Sequence, residues 1–175
     1  MQMVAGHPTA RVWEWLKEVP DPEIPFVSVV DLGIVREVRW NDDAELVVTV
    51  TPTYSGCPAI GAIEEEILAN LKRHGVLKVR LETRLSPAWS TDWISPWGRE
   101  RMRENGVSPP RGRSAAQLDV IDASAITPAR GPEVVPCPRC GSHRTRVVSH
   151  FGSTACKALY RCGECLEPFD YFKPH

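Results

Sequence analysis

IVREVRWNDDAELVVTVTPTYSGCPAIGAIEEEILANLKRHGVLKVRLETRL, residues 34–85, decides the fold, because its apolar period changes from two residues to a helical repeat and back. Residues 34–40 and 45–51 are rich in β-branched side chains, with Leu46, Val48 and Val50 alternating against Val47, Thr49 and Thr51. The polar run 41–44 between them predicts an antiparallel hairpin. After the loop TPTYSG, Pro58 opens a helix with Ile60, Ile63, Ile67 and Leu71 on one face. Glu64, Glu65 and Glu66 face water, and Gly75 ends the helix. Residues 77–85 return to alternation, with Leu77, Val79, Leu81 and Leu85 set against Lys78, Arg80, Glu82 and Arg84, which predicts a third strand.

Outward from this block, residues 9–19 place Val12, Trp15, Leu16 and Val19 at helical spacing, with Thr9 as N-cap and a stop at Pro20. The next segment, DPEIP at 21–25, carries prolines that fix φ and bar helix and inner strand, so a rigid loop leads into the apolar stretch 26–32. Residues 92–105 read as a last helix interrupted at Pro96. The fold class is therefore α+β, an αββαβα domain over residues 9–106.

Residues 107–135 are rich in Pro, Ala, Ser and Gly without sustained period, and read as an extended linker. Beyond it, at 136–175, CPRCG holds Cys137 and Cys140, CGEC holds Cys162 and Cys165, and 21 residues lie between the pairs. Two such knuckles let four thiolates reach one ion, and Gly141 and Gly163 suit the tight turns. With β-prone runs at 145–149, 158–161 and 168–172, the pattern is that of a zinc ribbon, a β-unit too small to fold well without its metal. Zinc is preferred to iron because no redox role is evident. Cys156 and His143 lie between the knuckles and are read as a packed thiol and a solvated imidazole, since four thiolates already close the site.

Composition narrows the function classes. The chain has 175 residues, 42% of them hydrophobic, enough for one substantial core and a smaller satellite. A net charge of −1 gives no general pull towards nucleic acid or anionic membrane. The balance nevertheless changes sign: residues 1–110 carry 12 basic and 16 acidic side chains, residues 111–175 carry 9 and 6. That asymmetry supports two units. No apolar run approaches the roughly 18 residues of a membrane span, and the N-terminus lacks the apolar region of a secretory signal. We expect a cytoplasmic protein whose cysteines serve as metal ligands or reactive thiols rather than disulfides.

Cys57 stands apart from the other five cysteines. The order Gly56, Cys57, Pro58 places it at the N-cap of the following helix, where backbone N–H groups and the helix dipole should lower its pKa. A small buried thiol is the plainer alternative. Cysteine–histidine catalysis is disfavoured: His74 lies at the far end of the same helix, about 24 Å away at about 1.5 Å per residue. A stable cluster needs more thiolates than this domain offers. One thiolate, in the company of the Asp21 and Glu23 carboxylates, can support a labile iron site that favours handover.

DPEIPFVSVVDLGIV, the hairpin, TYSGCPA and LSPAWSTDWIS together resemble the iron-sulfur assembly factors that include bacterial SufT. With FGSTACKALYRCGECLEPFDYFK the likeness extends to the PaaD family, accessory D subunits of the bacterial phenylacetyl-CoA epoxidase (ring 1,2-monooxygenase). The resemblance covers residues from about 11 to 105 and from 135 to 173. It implies a non-catalytic role in phenylacetate breakdown, maturing or assembling an epoxidase whose reductase carries a [2Fe-2S] cluster and whose oxygenase carries a di-iron centre. It also implies that Asp21, Glu23 and Cys57 form the functional site, handling a transient iron ion or iron-sulfur cluster. The expected partners are the epoxidase subunits, the iron-sulfur reductase among them. A homodimer would let two Cys57 thiolates meet.

Trp89, Trp93 and Trp97 recur every four residues and are read first as core, with partner docking as the alternative. A structural docking subunit that uses the ribbon and these tryptophans, with Cys57 inert, is the competing function. Arg99, Arg101 and Arg103 beside Glu100 and Glu104 read as a solvated helix face rather than a nucleic-acid patch.

Overall fold

The computed structural model describes residues 7–54, 56–110 and 134–174. The chain forms two compact units, one running to Trp89 and taking in Trp93–Gly98, the other made of Ser90–Asp92 and Arg99 onward. Most of the expected linker, 111–133, lies outside the described residues.

In the first unit, α1 (Thr9–Leu16) buries Val12, Trp15 and Leu16. Its N-cap is Pro8 rather than Thr9, and it ends at Lys17, before Val19. Strands β1 (Val35–Trp40) and β2 (Leu46–Val50) form the antiparallel hairpin, turned by Ala44 at φ 54° and pinned by Asn41, whose side-chain oxygen accepts the N–H groups of Asp43 and Glu45. Every residue of β2 is buried, which suits the middle strand of a three-stranded sheet. Helix α2 (Ile60–Arg73) buries Ile63, Ile67 and Leu71, as its periodicity requires. Strand β3 (Val79–Thr83) then runs parallel to β2, in the order β1-β2-β3. A parallel neighbour needs a crossover, and α2 supplies it.

A 3₁₀ turn (Thr91–Trp93) and α3 (Pro96–Glu104) occupy the interrupted last helix, with Pro96 opening α3 rather than kinking it. The tryptophans divide between the two readings. Trp89 is buried and donates its indole N–H to the Leu32 carbonyl, Trp93 takes the Arg36 guanidinium over its ring at 3.6 Å, and Trp97 is 63% exposed. The Arg99 expectation needs correcting. Arg101 and Arg103 pair with Glu104 and Glu100 on the surface, but Arg99 is half-buried and donates to the carbonyls of Pro110 and Thr91.

The second unit is built on a four-stranded sheet in the order β4-β7-β6-β5. Strands β5 (Thr145–Ser149), β6 (Lys157–Cys162) and β7 (Pro168–Phe172) form an antiparallel meander, and β4 (Val107–Ser108) pairs parallel to β7. Val107 and Ser108, assigned to the linker from sequence, are thus part of the ribbon sheet. The core is small: Val135, Ala158, Tyr160, Phe169 and Tyr171 pack around Cys137 and Cys162.

Candidate metal centre and the Cys57 site

The ribbon knuckles follow from local turns. Cys137 begins a tight turn in which the Gly141 N–H donates to the Cys137 carbonyl at 2.9 Å. Gly141 adopts φ +72°, a conformation that glycine reaches at no steric cost. In the second knuckle, a Cβ on Gly163 would sit 3.1 Å from the Arg144 carbonyl oxygen, so the close backbone approach favours glycine. The Glu164 N–H points at the Cys162 sulfur at 3.4 Å.

These turns bring Cys137, Cys140, Cys162 and Cys165 together with all sulfurs within 4.8 Å of one another. Across the knuckles the Cys137–Cys165 and Cys140–Cys162 sulfurs are 3.7 and 3.6 Å apart. A tetrahedral ion with bonds of about 2.3 Å to sulfur needs separations of about 3.8 Å, so the group fits such an ion. The electrostatics point the same way. Burial opposes the Cys162 thiolate, yet the N–H groups of Cys165 and Glu164 and the sulfurs of Cys140 and Cys165 lower its pKa to about 6. The Glu167 N–H favours the thiolate at Cys165, but burial and the sulfurs of Cys162, Cys140 and Cys137 push it up to about 12. Cys162 gives up its proton readily and Cys165 then keeps its own; a bound dication would hold both as thiolates.

Cys156 and His143 lie outside the group. Cys156 is buried, with its sulfur 3.0 Å from the Thr154 hydroxyl, and His143 is exposed. A cavity of about 290 Å³ opens beside Cys137, between Arg103, His143, Pro109, Pro110, Pro136 and Pro138, a feature with no signal in the sequence.

Cys57 lies in the turn that leads into α2, its N–H donating to the Tyr54 carbonyl at 3.2 Å. The helix proper begins at Ile60 with Ala59 as N-cap, two residues later than the spacing suggested. The expected fall in the thiol's pKa is reversed. Burial pushes the Cys57 thiol up, and the charges of Glu23 and Asp21 add to that rise. The N–H groups of Ala59 and Ile60 do face the sulfur and favour the thiolate, but desolvation is the larger effect. The thiol is only half-buried and stays accessible.

Asp21 and Glu23 reach this site from the DPEIP loop. One oxygen of Asp21 accepts the N–H groups of Glu23 and Ile24, both at 2.8 Å, which shapes the loop and holds the buried carboxylate in place. The structure thus brings the three residues into electrostatic range of one another. It does not gather their ligand atoms as it gathers the ribbon sulfurs, which are the one such group of three or more among the described residues. His74 is occupied elsewhere, stacked on Trp15 and 2.9 Å from a Glu18 carboxylate oxygen.

Sequence reasoning missed Asp31. It accepts from the Ser28 and Ser95 hydroxyls at 2.7 and 2.6 Å and its carbonyl accepts the Ser95 N–H, tying the loop after DPEIP to the segment before α3. The Asp31–Ser95 link spans 64 residues, so no local pattern announces it.

Together the two units define a class: an α+β iron-sulfur assembly domain joined in one chain to a zinc ribbon. The family model for an iron-sulfur cluster assembly protein matches residues 9–79, and that for the PaaD zinc beta ribbon domain matches residues 122–173. The chain is 49% identical to the Escherichia coli (strain K12) D component of a "Putative 1,2-phenylacetyl-CoA epoxidase", across 93% of this chain and 91% of that one. It belongs to the PaaD family, which includes that relative. It is also 37% identical to a Porphyromonas gingivalis "Fe-S protein maturation auxiliary factor", over 52% of this chain and 84% of the relative. A Bacillus anthracis domain of unknown function is 28% identical over 51% of this chain and 86% of its own, with a TM-score of 0.48. Among the described residues no helix is long and apolar enough to cross a membrane.

Proposed function

We propose that this chain is a non-catalytic accessory subunit that matures phenylacetyl-CoA epoxidase, receiving and passing on iron or an iron-sulfur cluster at Cys57, with Asp21 and Glu23 as the neighbouring carboxylates. The observation that carries this reading is the accessible thiol set in the field of two carboxylates, in a chain similar to an Fe-S maturation factor over that domain. Two carboxylates and a thiol make a donor set with a net demand for positive charge. Because the thiol holds its proton, metal must displace that proton to bind, which lowers the apparent affinity near neutrality. Weak binding suits a carrier. The ribbon cysteines we assign to a structural zinc ion, and the cytoplasm is the compartment in which all six thiols would stay reduced.

The test is anaerobic co-expression of Cys57→Ser with the epoxidase subunits, followed by iron and sulfide analysis of each. The variant should fold and meet its partners, yet leave the reductase or the oxygenase short of metal. Fully loaded subunits would overturn the carrier role. That outcome would favour the docking alternative, which draws on the 63% exposure of Trp97 and gives Cys57 no part.

A further inference from the structure

We propose that the outer edge of β3 is a docking surface for a second copy of this chain, whose own β3 pairs with it antiparallel in a register centred on Leu81. This stands apart from the cargo role of Cys57.

The backbone supplies the first argument. Among the described residues β3 is an edge strand. On its inner side Leu46 N–H donates to the Lys78 carbonyl and Arg84 N–H donates to the Val50 carbonyl, so the even-numbered residues of β3 bond to β2. The N–H and C=O groups of Val79, Leu81 and Thr83 therefore point outward, a template for another strand. The other edges differ. The β1–β2 ladder shifts register between Val35 and Glu37 and the β5–β6 ladder between Val147 and Ser149, irregularities that blunt an edge, whereas the β2–β3 ladder is regular throughout.

The side chains supply the second. Val79 and Leu81 stand beside Leu46 and Val48, which are fully buried, and strand alternation carries that face out to Leu77 and Leu85 at either end. Yet Leu77 is 81% and Leu85 57% exposed, and Leu68 of the overlying helix is 40% exposed. The apolar face of the core thus runs on past the end of its cover.

Symmetry then selects the occupant. In a two-fold antiparallel pair, directly opposed residues must be alike in whether their backbone groups point outward, so the centre falls on a single residue. Centring on Arg80 or Glu82 sets like charges against each other. Centring on Leu81 places Arg80, which within its own chain already reaches Glu45 and Glu82 at 3.2 and 3.4 Å, opposite Glu82 of the second copy, Val79 opposite Thr83, and Leu77 opposite Leu85, so the two exposed leucines that flank the strand cover one another. Lys78 then faces an Arg84 whose guanidinium already reaches Glu37 within its own chain, at 3.7 Å. The strand is complementary to itself in apolar character and, at Arg80 and Glu82, in charge.

Sedimentation equilibrium of the full chain, with Leu77→Lys, Leu85→Glu and the double variant, tests this. Both leucines are exposed, so the monomer keeps its fold, as circular dichroism will show. The wild type should dimerise, each single variant should weaken the dimer by about tenfold or more, and the double variant should recover it by setting lysine opposite glutamate. Hydrogen exchange should protect the amides of Val79, Leu81 and Thr83 as the dimer forms. A wild type that stays monomeric, a dimer indifferent to both single variants, or a double variant without recovery overturns the proposal. So does a monomer whose β3 edge binds an epoxidase subunit instead.

Discussion

Cys57 is held between opposing influences of one short turn. The N–H groups of Ala59 and Ile60 favour its thiolate, while burial, Glu23 and Asp21 favour the thiol, and the second set wins. Iodoacetamide should therefore alkylate Cys57 more slowly near neutrality than a free thiol, and Asp21→Asn or Glu23→Gln should speed the reaction by removing a negative neighbour; mass spectrometry of the labelled peptide reads both. The linkage sign follows. A thiol whose pKa is raised by folding stabilises the folded state below its ordinary range and loses that contribution as pH rises through the folded value. Gly33 is constrained differently: at φ +72° a Cβ there would lie 2.6 Å from the Trp93 Cβ. Gly33→Ala should cost about 2–5 kcal/mol in chemical denaturation, combining the left-handed penalty with overpacking. The run Leu32-Gly33-Ile34 shows that a turn is needed, but not that Trp93, sixty residues on, presses against it.

Among the elements, the helical and strand periods were legible because each element buries one face against one partner. Ile63, Ile67 and Leu71 fall where the α2 repeat puts them, and Leu68, outside that stripe, is 40% exposed. Ile67→Ala should accordingly destabilise the protein by about 2–5 kcal/mol, and Leu68→Ala should stay within about 0.5 kcal/mol, by thermal or urea melting of the monomer. The ends of elements were less legible. The first turn of α2 forms two residues later than Pro58 suggests, and α1 stops short of Val19. Terminal turns carry few bonds, and tertiary contacts decide whether they continue. Arg99 departs from its local pattern for a related reason: alternating charges mark a solvated face, but the carbonyls of Thr91 and Pro110 draw one arginine inward.

Across the chain as a whole, two compact units with different sources of stability predict different responses to chelation. The first has a hydrophobic core, whereas the second packs a handful of side chains around four sulfurs. Strong chelation, or Cys140→Ser, should abolish binding of one metal ion per chain and melt β5 to β7 while the first unit keeps its own transition, as calorimetry and elemental analysis would show. Acid should release the metal too, since protons compete for the sulfurs. The α+β class, the order of the elements and the grouping of the four ribbon cysteines could be read from residue order alone, because apolar period and CxxC spacing are local properties that a few neighbouring residues express. Folding itself was needed to make β3 run parallel to β2, to draw Val107 and Ser108 into the ribbon sheet, to set Asp31 against Ser28 and Ser95, and to raise the Cys57 thiol rather than lower it. Each of these depends on groups that short-range pattern does not connect, and the desolvation and pairing energies that govern them arise only once the chain has brought those groups together.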